Sequence, residues 1–422
     1  MDNLLIKSAR IFFPNTPFHG KELDVLVKKG VITKIAGQIK EDVTNLDVFD
    51  AKGQYLVPGF FDMNVNFGEP GLETKEDIVS GCAAALAGGV TGVAVHPNTH
   101  PPVHSRSEVA LIVNRSRPLP VDVHPIGTIS KKRQGEELAE LYDMKLTGAI
   151  AFCDGDKPVQ QAGLMSRALL YSKGFDGLII SCPEDASVAA GGKMNEGVTS
   201  TYLGMKGNPN LAEALMVARD LYLAEYNDAP IHFTTISTAE SVELIRKAKA
   251  KGIKVTCDVA AHHLVMTDDL IAGFDSNYKV SPPLRTQTDI RALRKGLKDG
   301  TIDAIVSQHT PHEIEYKNVE YQIAAEGIIG LQTLLPLALQ AGLTVDQLVD
   351  KLAMGPRRVL GIPLPEFQEQ ALANFILLDT ELKWQFDSQT NRSKSSNSPL
   401  MGKELKGKVT LAVNKRQIIN TQ

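Results

Sequence analysis

The chain has 422 residues, 43% of them hydrophobic and 22% charged, which suits a large folded core with a smaller second unit and excludes a fibrous or disordered protein. A formal net charge of −4, with no dense Lys/Arg block, argues against a general electrostatic footprint for nucleic acid or an acidic membrane surface. Four scattered cysteines, Cys82, Cys153, Cys182 and Cys257, form no C-x-x-C pair, which excludes a zinc ribbon or thioredoxin-like motif and predicts a reducing, cytoplasmic setting.

In chain order, the amino terminus breaks its apolar residues with Lys7 and Arg10 and lacks a signal-peptide core. Residues 1–55 read as short alternating strands separated by Gly, Pro and Asn turn signals, the chemistry of a β-sandwich. The uncharged run from Ile78 to Ser105 carries Gly88-Gly89 and prolines and is not expected to cross a membrane. From Tyr55 onward, apolar runs alternate with helical patterns, as in a parallel sheet covered by helices. Eight strand candidates follow, over 56–65, 90–96, 121–127, 146–152, 177–182, 229–236, 253–259 and 302–307. Residues 239–249 carry one buried helical stripe behind an N-cap at Ser237 or Thr238. Eight β/α units predict a closed barrel, an α/β fold of the (β/α)8 TIM type. After Pro363 the strand patterns return at 374–378 and 408–413, around a polar loop from Asp387 to Ser398 that reads as mobile. The economical arrangement is a composite β-sandwich domain from residues 1–55 and 365–422, with the barrel over 56–364.

The first barrel strand runs into Asn64-Val65-Asn66. Side chains at i and i+2 near the carboxyl end of such a strand both point into the mouth, where a metal pair would sit. A neutral amide offers an oxygen but no basic nitrogen, so two asparagines make a poor nest for a transition metal.

A set of collinear segments then stands out: FFDMNVNFGEPG (60–71), EDIVSGCAAALAGGVTGVAVHPNTHP (76–101), GAIAFCDGDKPVQ (148–160), ISCPED (180–185), HFTTIST (232–238), AHHL (261–264), NYKVSPPLR (277–285), DGTIDAIVSQHTPHE (299–313) and EGIIGLQT (326–333). Over these segments the chain resembles the dihydroorotases of the amidohydrolase superfamily, the longer bacterial type. That resemblance implies a barrel with a urease-like composite domain. It also implies interconversion of N-carbamoyl-aspartate and dihydroorotate by metal-bridged hydroxide, with a carboxylate as general base.

Carried over by motif, the family's metal-ligand positions fall on Asn64, Asn66, Gly155, Cys182, Thr235 and Gln308, and the substrate-carboxylate arginine falls on Gly68. Asp154 and Asp156 flank Gly155 as alternatives for the bridging aspartate. Gln308 also takes the general-base position, where an amide cannot take up a proton. This set predicts no metal and no cofactor where the family uses zinc. Asn98, Ser281, His312 and Gly327 stand at the family's substrate positions, with Ser281 replacing an asparagine, and read as vestigial contacts.

Other residues have plainer readings. Prolines between His96, His100 and His104 prevent a regular helix from presenting the three as metal ligands. His262-His263 suits a structural role, Cys182 a small buried thiol, and Arg392 with Lys394 a solvated loop face. The expectation is a dihydroorotase-like barrel that has lost catalysis and serves as a scaffold, as a homodimer and in partnership with aspartate transcarbamoylase. An active cyclic amidohydrolase and a small-ligand sensor are the alternatives.

Overall fold

The computed structural model describes residues 3–40, 46–415 and 417–420. The remaining residues, which fall within the two terminal segments assigned to the small domain, lie outside the described residues. Five strands open the chain: β1 (Asn3–Ile11), β2 (Glu22–Lys28), β3 (Val31–Ala36), β4 (Asp47–Asp50) and β5 (Tyr55–Pro58). The next five are β6 (Phe60–Val65), β7 (Val90–Val95), β8 (Asp122–Gly127), β9 (Ala151–Phe152) and β10 (Ile179–Ser181). A short pair, β11 (Met194–Asn195) and β12 (Gly207–Asn208), interrupts them before β13 (Ile231–Phe233), β14 (Val255–Ala260) and β15 (Ala304–Val306). The chain ends with β16 (Asn374–Phe386), β17 (Lys403–Asn414) and β18 (Gln417–Asn420).

Strands β6 to β10 and β13 to β15 hydrogen-bond in sequence order as a parallel sheet. Parallel bridging between Val65 and His309 brings the last strand back to the first, nearly closing the barrel. Phe61 and Met63 meet Ala94, Ile126, Ile180 and Val306 in one buried cluster, so side chains from successive strands fill the barrel instead of leaving a pore. The helix Ala239–Ala250 begins where the sequence places it, with the Thr238 side chain accepting from the Ser241 amide.

Two expected strands differ. The apolar run 56–65 is split at Gly59: Tyr55–Pro58 pairs with β1 and β16 in the terminal sheet, and only Phe60–Val65 enters the barrel. A Cβ at Gly59 would lie 2.2 Å from Thr91 Oγ1, so the chain passes between the two sheets only as glycine. Of 146–152, residues up to Thr147 belong to the helix Leu141–Thr147, which ends on Gly148 at φ 122°. Both termini build the second sheet, in the order β18-β17-β16-β5-β1-β2-β3 with β4 beside β1. Its core joins Leu4, Ile6 and Val25 to Phe375, Leu377 and Val413.

Arg357 ties the floor of the barrel to the Gly59 joint. Its buried guanidinium donates to Gly59 O at 2.8 Å and Ala353 O at 2.7 Å, and lies 5.4 Å over the Phe61 ring. Arg357→Met keeps the length but strands buried carbonyls, so it is expected to lower stability by about 3 kcal/mol. Urea denaturation measures this, and an unchanged midpoint would contradict the assigned role.

Candidate functional site

The strand ends carry the expected positions to one mouth. Asn64 is buried and its amide donates to Thr234 Oγ1 at 3.0 Å across the barrel. Asn66 donates to Thr310 Oγ1 at 3.1 Å and accepts from Asn98 Nδ2 at 2.7 Å. Thr235 and Gln308 both stand at left-handed φ, 53° and 52°, a conformation that β-branched and long side chains rarely adopt and that marks local strain. Thr235 N donates to Asp258 Oδ1 at 2.6 Å, and Gln308 Nε2 to Ser281 O at 2.6 Å. Both strand-end residues thus hold a strained backbone beneath neutral side chains.

Gly155 stands at φ 65°, and a Cβ there would meet Asn98 Oδ1 at 1.8 Å. Neither flanking aspartate reaches inward in its place. Asp154 accepts from Ile129 N at 2.8 Å and Ser130 N at 2.9 Å, while the exposed Asp156 pairs with Arg133. Cys182, expected as a buried thiol, is only half-buried; desolvation still pushes its pKa well above the ordinary value, with Cys153 adding to the shift, so it stays protonated. At Gly68, φ is 68° and a Cβ would come within 2.6 Å of the Leu72 and Glu76 carbonyls, leaving no room for an arginine on this backbone.

Beneath these residues lies a polar layer that sequence reasoning missed. His232 Nε2 meets Asp258 Oδ2 at 2.9 Å, and Thr234 Oγ1 donates to the same oxygen at 3.0 Å. Asp62 accepts from Asn64 N and Ser307 N, both at 3.0 Å, and burial raises its pKa to about 7. His96 is buried and held to about 4 by desolvation, and its Nε2 has no hydrogen-bond partner among the described residues. The available signal was a polar residue inside an apolar strand, as at Asp62, His232 and Asp258, but the pairing spans distances in sequence that no local pattern reports.

The residues present do not fit a zinc pair. Amides and hydroxyls replace the expected ligands, and the nearby carboxylates are engaged by backbone N–H groups. Among the described residues, no three His, Cys, Asp or Glu side chains are grouped to hold a metal ion. His104 Nδ1 instead meets Pro102 O at 2.8 Å, and His263 Nε2 meets Pro282 O at 3.1 Å.

The substrate positions fall in separate places. Ser281 lines a cleft of about 220 Å³ with Glu184, Asn208 and Glu326, whereas His312 lines one of about 400 Å³ with Ser276 and Lys317. His312 is neutral, its pKa held to about 4 by burial and by Lys75, and its Nε2 meets Glu326 O at 2.9 Å. Gly327, at φ 125°, lies against Thr310, 2.5 Å from where a Cβ would sit. Two buried lysines hold its loop: Lys279 Nζ donates to Tyr321 O, Gln322 O and Ala324 O, and Lys317 Nζ to Ala325 O and Gly327 O.

The polar segment expected to be mobile is docked on this loop. Asn397 accepts from His312 N at 3.0 Å and donates to Thr310 O at 3.0 Å and Gly327 O at 3.1 Å. Lys394 pairs with Asp77 and donates to Glu73 O, yet both it and Arg392 are exposed, as a solvated loop face requires. The segment's composition is that of a loop, and its order comes from partners some 70 to 320 residues away.

Asn397→Ala is expected to release the Gly327 loop, with amide hydrogen exchange over 327–329 roughly tenfold faster than in the parent. Unaltered exchange there would remove Asn397 from this role. A pH effect follows from the buried imidazoles. His96, His263 and His312 sit at about 4 rather than 6.5, and burial lowers His262 and His124 as well, so below 6.5 the unfolded chain binds up to five more protons on these imidazoles than the folded one. Asp62, at about 7, opposes this with one proton, and the buried Asp154, Glu184 and Asp220, also raised by burial, oppose it toward the acid end. The net sign is a loss of stability as pH falls from 6.5 toward 4, read as a lower urea midpoint at pH 4.5 than at 6.5; equal midpoints would refute it.

A family profile described as Dihydro-orotase-like matches residues 53–241. The dihydroorotase of Pelobacter propionicus is 43% identical over 410 residues, covering 96% of each chain, and that of Acetivibrio thermocellus is 43% identical over 412 residues with the same coverage. In fold, the chain is similar to the L-hydantoinase of Arthrobacter aurescens, with a TM-score of 0.84 at 23% identity over 100% of this chain and 96% of that one. The dihydropyrimidinase of Brevibacillus agri gives 0.79 at 19% identity over 100% and 96%. These relatives overturn the expected inactive scaffold for aspartate transcarbamoylase: proteins similar along essentially the whole length are named as the enzyme, and replaced ligands alone do not establish a loss of activity. The depth and length of this similarity place the chain in the dihydroorotase-like family.

Proposed function

We propose that the protein is a cyclic amide hydrolase that interconverts dihydroorotate and N-carbamoyl-aspartate. Ring opening adds water across the amide C–N bond, and closure expels it. The observation that carries this reading is 43% identity to a named dihydroorotase over 96% of both chains. Because the donor set does not suit zinc, no step is assigned to a metal.

In this reading the chain's own residues bind and orient the ring. Asn98 offers an amide at the mouth and Gly327 a backbone approach that a side chain would block, while neutral His312 and Ser281 line two separate clefts. Gln308 has no protonatable group and takes no part as a base. The chain has no helix long and apolar enough to cross a membrane among the described residues. An exposed stripe on the helix Asn210–Asn227, formed by Leu211, Leu215, Tyr222 and Tyr226, favours a second copy as partner.

The full chain should turn over both compounds, one in each direction, and keep doing so after dialysis against a chelator. Asn98→Ala should lower kcat/KM by roughly tenfold, the worth of one hydrogen bond to a charged ligand. No conversion above the uncatalysed rate in either direction would refute the assignment.

A further inference from the structure

The turn after β8 aims one arginine into the mouth. Lys132 and Arg133 both adopt left-handed φ, 54° and 57°, and the Arg133 side chain is only 10% exposed. Its Nε donates to Asp154 O at 2.8 Å and Nη2 pairs with Asp156, while Nη1 has no partner among the described residues. Nη2 lies 3.2 Å from where a Cβ on Gly155 would stand, and Asn98 Oδ1 lies 1.8 Å from the same point. The guanidinium and Asn98 thus flank the place where the resemblance puts the bridging aspartate, and a side chain at Gly155 would displace at least Asn98.

An ion pair does not account for this placement. Asp156 is 70% exposed, and a pair with one solvated member is weak, little reason to enclose a guanidinium. The buried His96 imidazole, whose Nε2 lacks a partner, is near enough to feel the Arg133 charge. The one unpartnered guanidinium nitrogen, an adjacent amide and the orphaned imidazole nitrogen make a small polar cradle with a positive charge.

We propose that Arg133 binds the carboxylate of the ring-amide ligand, supplying from the β8 turn the cation that Gly68 cannot provide from the end of β6. This rests on the substrate reading above, and it makes Arg133 and Asn98 joint contacts of one carboxylate. Asp156 then acts as an exposed counter-ion that yields when the ligand enters.

The test is calorimetric binding of dihydroorotate and of its neutral carboxamide analogue to the full chain, to Arg133→Met and to Arg133→Lys. Arg133→Met should weaken dihydroorotate binding by between about tenfold and a hundredfold, with Arg133→Lys in between, while the carboxamide binds parent and variants alike. Parent-like dihydroorotate affinity in Arg133→Met overturns the proposal. So does equal weakening for both compounds, which would mean a role in shape alone. Should Arg133→Met fail to fold, the Arg133→Lys comparison between the two compounds decides the matter on the same criterion. Turnover measured on the same samples separates the two readings. Catalysis with Arg133-independent binding defeats this inference and leaves the enzyme assignment, whereas Arg133-dependent binding without catalysis does the reverse. A parent chain that binds neither compound overturns the inference.

Discussion

One buried carboxylate, Glu76, holds together the parts of the chain that shape the mouth. It is fully enclosed, faces His309 Nε2 at 3.3 Å, and accepts from Lys394 N at 3.1 Å and from the hydroxyls of Ser80 and Ser393. Burial raises its pKa, but the bonds from His309, Ser393 and Ser80 outweigh that and hold the group below its ordinary value. An enclosed charge without these donors would cost several kcal/mol, so its helix start, strand end and carboxyl-terminal segment must arrive together. His309 in turn accepts from Gly330 N, and its backbone bonds to Asn66. The closure of the barrel, the Gly327 loop and the docked segment thereby share one electrostatic anchor.

The neutral residues of the mouth are interdependent. Asn98 fills the space that a side chain at Gly155 would need, and Asn66 then supplies the acceptor for the Asn98 amide. Asn64 does the same for the buried layer by reaching Thr234, whose hydroxyl already serves Asp258. Changing one of these residues to an ionisable side chain would leave another polar group unsatisfied, a cost of about 1–3 kcal/mol per group. The strained backbone at Thr235 and Gln308 persists through all of this because the strand ends are fixed by the barrel, not by the side chains they carry.

The barrel was legible in the sequence because its strands are buried on both faces and read as apolar runs, as β6 and β7 show. Gly59 was not, since a single glycine inside an apolar run gives no hint that the run belongs to two sheets. The collinear motifs brought Asn64, Asn66, Gly155, Thr235 and Gln308 to the mouth on paper, and they stand around it in space. Arg133 and Asn397 were illegible for a different reason. Each lies in a polar turn whose composition is that of any exposed loop, and only long-range bonds to Asp154, Thr310 and Gly327 reveal them.

The charge balance of the mouth narrows what it can hold. Its carboxylates are already satisfied: Asp62 by two backbone amides, Asp154 by two amides and the Ser130 hydroxyl, Asp258 by His232, Thr234 and the Thr235 amide. To ligate a divalent ion, any one of them would have to give up several bonds and move from its own layer. Asp62 is in addition drawn toward its neutral form by burial. At the rim Arg133 Nη1 has no partner among the described residues, nor do His96 Nε2 and Gln308 Oε1, and of these groups the guanidinium alone carries a charge of opposite sign to a carboxylate ligand. A site of this kind favours one organic anion held by directed hydrogen bonds over a pair of dications, because the fork supplies geometry as well as charge.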